Sequence, residues 1–344
     1  MFRSLIGLLL ILLLLAAGDY VLWNWAEQQL LYGYAAWIAG SRVQGWTVSS
    51  SEPVTGGWPM EARLTVGDLF LSGGQAEIPG GLVWSADRVQ IAVNFLHPRQ
   101  LSISAEGMQR LRVANLQDIP YTADVMHLLL PLQTGVPTRS AALHAINLRA
   151  GLPAGGFTVG TMDLHLDWVP AAQQGEAAVT ANLQVEDVGL SSARTWPLGP
   201  RIASLSAEAA LNGPLPFVPG LAARAAAWRD AGGSLQVRRF SLQWGQLGLS
   251  ASATVALDDQ LQPMGAGTAR MVGQSEALDS LAANGAIDAS AATAGKAVLA
   301  LIAHTPEGGG PPQVEVPITL QNRTLSMGRI PLAKLPELIF PAAP

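Results

Sequence analysis

The feature that most restricts this chain is its first apolar run, Leu5 to Trp25. From Leu5 to Ala17 every residue except Gly7 is leucine, isoleucine or alanine, and Arg3 and the free amino terminus precede the run. Such a segment either crosses a bilayer or directs export. Its strictly apolar core holds 13 residues, short of the ~20 that span ~30 Å of hydrocarbon. Continuing through Gly18, Asp19, Tyr20, Val21, Leu22 and Trp23 gives a spanning length and leaves Asp19 near the far interface. Trp23, Trp25, Tyr32, Tyr34 and Trp37 fit an interfacial aromatic belt. The membrane anchor is therefore read as the stretch marked by Leu5, Leu10, Leu15, Val21, Leu22 and Trp23. The competing reading is a signal peptide cut at Ala16-Ala17-Gly18, which would leave Tyr20, Trp23 and Trp25 as purposeless exposed aromatics. Either way the positive charge lies ahead of the run, so the remainder is expected outside the cytoplasm. A lipoprotein signal is excluded because the chain has no cysteine.

Beyond the run, Leu30, Leu31, Tyr34, Trp37 and Ile38 recur at spacings of three and four, and Gly40-Ser41 offers a stop. The spacing predicts a helix from Gln28 to Ala39 whose apolar face packs against the rest of the chain, the alternative being a stalk lying on lipid. Residues 1–40 are thus expected to form an anchor and helical stalk, and 41–344 a β-rich body, in two halves of similar style at 41–190 and 191–344.

Charged residues make up only 13% of the 344, about half the globular average of ~25%. That deficit points to a long sheet with an apolar inner surface or to a lipid-facing groove. The net charge is −5 and the basic residues are scattered, Arg238-Arg239 being the one adjacent pair. Nucleic acid, which needs a basic stripe, is excluded as a partner. Without cysteine there are no disulfides, thiolate metal sites or cysteine nucleophiles.

From Val43 onward short alternating runs are punctuated by Gly, Pro, Asn and Asp, the grammar of strands and turns. Val43 to Val48 is expected as the first strand and Met60 to Val66 as another, from which Gly67-Asp68 leads to the run Leu69-Phe70-Leu71 before Gly73-Gly74. Further runs follow at 82–95, 101–103, 125–130, 143–148, 161–168, 179–185 and 203–211. Phe240, Leu242 and Trp244 share a face, and after Gly245-Gln246 so do Leu247, Leu249 and Ala251, as a two-residue hairpin requires. Asn322-Arg323 predicts a second hairpin, and Pro317 an edge strand or a bulge. Helices are expected at 221–228, at 275–283 with Ser275 as cap, and at 288–303 on a sheet face, with a flexible loop at 305–313. The fold class is α+β, mainly β: an N-terminal transmembrane helix, then a long curved antiparallel sheet with a few packed helices.

Asp163-Leu-His165-Leu-Asp167 is the strongest chemical constellation. Period-two spacing puts the three polar side chains on one strand face, where carboxylates and imidazole are able to share a metal and assist hydrolysis. The plainer reading, preferred here, is the solvated face of a strand packed through Met162, Leu164, Leu166 and Trp168. The other histidines, at 97, 127, 144 and 304, lie in separate segments without HExxH spacing. No GxGxxG opens a helix, and neither GxxxxGK[ST] nor GxSxG occurs, so neither nucleotide nor any other cofactor, and no catalytic residue, is expected. Trp58-Pro59 and Trp196-Pro197 sit at turns, where each tryptophan is expected to plug a sheet edge rather than form a lip for a ligand.

The anchor, the segment Tyr34-Ala-Ala-Trp37 through Arg42 and Gly45, and Gly57-Trp58-Pro59 together resemble domain-of-unknown-function family 2125. So do Phe240-Ser-Leu-Gln-Trp244-Gly-Gln-Leu-Gly-Leu249, Leu257-Asp258 and Asn322-Arg-Thr-Leu-Ser-Met-Gly328-Arg-Ile-Pro-Leu332. That resemblance implies a bacterial inner-membrane protein with its bulk in the periplasm and carries no catalytic residue. The strand grammar is also similar to AsmA-type envelope proteins, which implies movement of lipid along a grooved sheet. The expected partners are therefore the inner membrane and either lipid or another envelope protein.

Overall fold

The computed structural model describes residues 2–75, 80–114, 116–132, 138–152, 155–191, 195–216, 218, 220–285, 287–303, 311–328, 330–338 and 340. His304 and most of the loop expected at 305–313 lie outside them. Two compact units meet at Ala141/Ala142. Among the described residues there are four helices and seventeen strands, and every registered strand pair is antiparallel.

The first unit opens with α1 (Phe2–Val43), one helix of 42 residues. After it come β1 (Thr47–Ser49), β2 (Val54–Gly56), β3 (Glu61–Gly73), β4 (Leu82–Asn94), β5 (Gln100–Val113), β6 (Ile119–Thr122) and β7 (Val125–Pro131). β1 and β2 share one edge of β3, β4 takes the other, and β5 follows with β6 and β7 beside it. Leu64 and Val66 are fully buried on one face, and Leu30, Tyr34 and Ile38 of α1 pack into the same core. Tyr34, itself buried, satisfies its hydroxyl by donating to Ser50 Oγ at 2.8 Å. Each such buried Leu or Val contributes about 1.5–3 kcal/mol, so the helix face predicted from spacing is structural.

The helix does not stop at Gly40-Ser41, and the first strand does not begin at Val43. Gly45 ends the helix in the left-handed region (φ 83°). Its N–H donates to Arg42 O and that of Trp46 to Ser41 O, at 3.0 Å each, which is the Schellman closure. Gly40 has open space around it and simply continues the helix.

The runs on either side of Gly67-Asp68 form one strand. Ala62, Leu64 and Val66 are buried at even spacing, then Leu69 at odd spacing. Asp68 at φ 50° makes the change of phase while β3 continues. In the neighbouring pair a bulge does the same: Gly107 is at φ 79°, and the N–H of Met108 donates to the Asp87 carboxylate at 2.7 Å.

β8 (Ser140–Ala150) runs across the division between the units. The second unit continues with β9 (Phe157–Trp168), β10 (Ala177–Leu190), β11 (Arg201–Asn212), α2 (Leu221–Asp230), β12 (Ser234–Trp244), β13 (Leu247–Leu257) and β14 (Pro263–Val272). It closes with α3 (Gln274–Ala283), α4 (Ala289–Ile302), β15 (Gln313–Gln321), β16 (Thr324–Met327) and β17 (Ile330–Lys334). From β9 to β17 each strand pairs with the next. Both predicted hairpins form: Trp244 faces Leu247 across Gly245-Gln246, and Gln321 faces Thr324 across Asn322 and Arg323, both at positive φ. Pro317 lies in neither an outermost strand nor a bulge. Its carbonyl accepts from Gly328 where the β16 ladder runs out, so its nitrogen faces the side on which pairing ends. α3 starts at Gly273 without a side-chain cap, so Ser275 does not serve as one. α4 lies on the sheet as predicted, with Leu299 and Ala303 against Ala269, Val314 and Val316. The class is mainly-β α+β, as expected from the sequence.

Candidate functional site

α1 is the one helix among the described residues that is long and apolar enough to cross a membrane. Among its described side chains before Trp23, Leu10, Leu15, Val21 and Leu22 are 49–67% exposed, and Asp19 is half-buried. Leu5 is in the same helix, and its side chain lies outside what is described. Contact with the sheet begins at Trp23, which is half-buried and donates from Nε1 to Gly56 O at 3.4 Å. The helix is thus apolar and largely exposed over the described side chains from Leu10 to Leu22, and beyond Trp23 it packs one face into the core through Leu30, Tyr34 and Ile38. These are the properties of a single-pass anchor.

The second candidate is a sheet face. The registers align one row through Met162, Val185, Leu205, Leu242, Leu249, Met271 and Val314. A second row runs through Leu164, Leu183, Ala207, Phe240, Ala251, Ala269 and Val316. Two more, starting at Leu166 and Trp168, end at Ile318 and Leu320. Across these four rows and seven strands every position is glycine, alanine or a larger apolar residue. Keeping that pattern needs one correction of parity, because Val237 and Phe240 are three residues apart. Arg238-Arg239 supply it as a bulge against β13, with Glu208 beside both guanidiniums. Among the described residues the face is buried at one side and half-buried at the other. Under α4, Ala269, Val314 and Val316 are buried, whereas the row members on β9 to β12 are half-buried, Leu235 being exposed. The principal helix contacts of this unit fall on β13 and β15.

Asp163, His165 and Asp167 occupy the opposite face of β9, in register with Gln184, Asn182 and Thr180. His165 and Asp167 are exposed. Asp163 meets His144 Nδ1 of β8 at 2.7 Å, a pair that sequence spacing does not reveal because it forms across strands. Among the described residues no three His, Asp or Glu side chains converge to hold a metal.

The fold also brings His97 and His127 together at a polar hollow of about 200 Å³, with Glu61, Asn94 and Gln100. A cleft of about 640 Å³ lies between Trp196–Pro200, Gly245-Gln246 and α3. There Trp196 is half-buried against Trp244, at 6.3 Å between ring centres, and lines the cleft. Trp58 does not plug a sheet edge, being 52% exposed. In the first unit Tyr121 accepts from Trp84 Nε1 at 2.8 Å. Burial holds its phenol above the usual value of 10.0, and the Trp84 hydrogen bond opposes the shift.

Neither a curated protein nor a solved structure matches the chain, so the AsmA-type likeness gains no support from comparison. The family described as "Uncharacterized protein conserved in bacteria (DUF2125)" matches residues 23–336, beginning at the residue where α1 first meets the sheet. The chain belongs to the DUF2125 family of bacterial proteins.

Proposed function

We propose that this is a non-enzymatic protein of the bacterial envelope, held in the inner membrane by α1 with its bulk in the periplasm. Along β9 to β12 it holds or passes acyl chains. The observation that carries the reading is the unbroken apolar face, covered by α4 at β14 and β15 and half-open from β9 to β12. Four strands and four rows make a surface of about 14 Å by 20 Å, a fit for extended hydrocarbon. Leaving such an area in water is costly at ~25 cal/mol per Å², and exposed patches of this kind mark binding sites.

Full-length protein in vesicles carrying a photoreactive phospholipid tests it. Crosslinks are expected on β9 to β12 peptides, and Leu183→Asp should abolish them without shifting the melting temperature by more than a few degrees. Crosslinks confined to α1 would overturn the lipid reading. α4 already covers part of the same face from within the chain, which favours as second reading a partner protein that covers the remainder. Crosslinking to one protein instead of lipid would select it.

A further inference from the structure

α1 and β3 run side by side. Trp23 meets Gly56, the partner of Arg63, while Trp46 packs against Gly73 at the other end. Twenty helical residues from Trp23 to Val43 advance about 30 Å, and nine strand residues from Arg63 to Ser72 advance the same ~30 Å. The helix therefore leaves the sheet at the end where the chain turns from β2 to β3. The turn that follows Gly56 carries Trp58, at most ~7 Å further on, on the same side as the exposed half of the helix. Trp58 and Met60 on this turn are 52% and 56% exposed. The N–H of Phe95 donates to Met60 O, which brings the β4–β5 turn alongside, and there Leu96 is 72% exposed. Arg99 on the same turn is exposed too.

We infer that these two turns form a second membrane contact: Trp58, Met60 and Leu96 enter the bilayer interface beside the anchor, and Arg99 meets anionic headgroups. The inference rests on α1 spanning the membrane. The occupant is lipid because the patch is continuous with the point where an apolar rod leaves the domain. Tryptophan, large aliphatics and a peripheral arginine are the residues that partition there.

The absence of cysteine permits single nitroxide labels through Met60→Cys, Leu96→Cys and Leu116→Cys in the full chain. Position 116 lies past the far end of β5, about 45 Å away by strand rise. In phosphatidylcholine–phosphatidylglycerol vesicles, labels at 60 and 96 should show several-fold higher collision with oxygen than with a water-soluble nickel complex. The label at 116 should show the reverse. Equal water access at all three positions in protein that floats with the vesicles overturns the second contact alone. Failure to float removes the anchor and the contact with it. Arg99→Gln should weaken the signal at position 96 in anionic vesicles and leave it unchanged in neutral ones; an identical loss in both would refute the headgroup role.

Discussion

Gln109 is wholly buried in register with Ala86, and neither its amide nitrogen nor its oxygen has a partner among the described residues. A buried amide left unpaired costs about 1–3 kcal/mol. Gln109→Met, close in volume, is therefore expected to stabilise the protein by about 1–2 kcal/mol, read as a higher melting temperature. Its cross-strand neighbour Tyr121 sets an alkaline limit. Because its phenol is held above the ordinary value, the unfolded chain releases that proton first. Stability should therefore fall as pH rises past about 10. Tyr121→Phe should remove this component from the pH dependence of unfolding, and spectrophotometric titration of the folded protein should show one late-ionising tyrosine. At this scale the sequence was informative about faces and silent about partners. Alternation around Leu164 and Leu166 foretells that His165 and Asp167 point to solvent, but nothing near Asp163 foretells His144.

Among the elements, the helix end offers a paired test. Gly45→Ala puts a Cβ at φ 83° and should cost about 1–2 kcal/mol. Gly40→Ala, in open space within the helix, should gain about 0.5–1 kcal/mol. The opposite order would place the stop at Gly40 after all; thermal unfolding of both variants decides. The same lesson governs the strands. Two-residue turns such as Gly245-Gln246 and Asn322-Arg323 are legible because both flanking runs reverse phase at once. Asp68 and Asp187 also change phase, yet their φ values of 50° and 53° do so within continuing strands. A polar residue at a phase change thus has two meanings in sequence, and only the pairing partner selects between them. Arg238-Arg239 is the same device with two charges on the outside of the bulge.

For the whole molecule, α1 joins an exposed apolar stretch and a packed face in one helix. A chain beginning at Trp23 should fold, since it keeps Leu30, Tyr34 and Ile38, the residues through which α1 enters the core. One beginning at Gln44 loses Leu30, Tyr34 and Ile38 from the core and should lose the first unit's cooperative transition. Circular dichroism and limited proteolysis of the two truncations separate these outcomes, and an intact first unit in the shorter chain would contradict the packing described. The sequence foretold a helix long and apolar enough to span a membrane and the amphipathic face behind it. It could not foretell where one gives way to the other, because Trp23 fits a lipid interface and a protein contact equally well.

The unbroken passage of α1 from bare leucines into the core has a mechanical consequence. A rod without a hinge turns its load as it turns itself. One residue inserted between Tyr20 and Trp23 would swing the attached body by ~100° about the helix axis and lift it ~1.5 Å. The compass bearing of the first unit's sheet about the axis of its apolar rod is thereby written in the spacing of that short stretch.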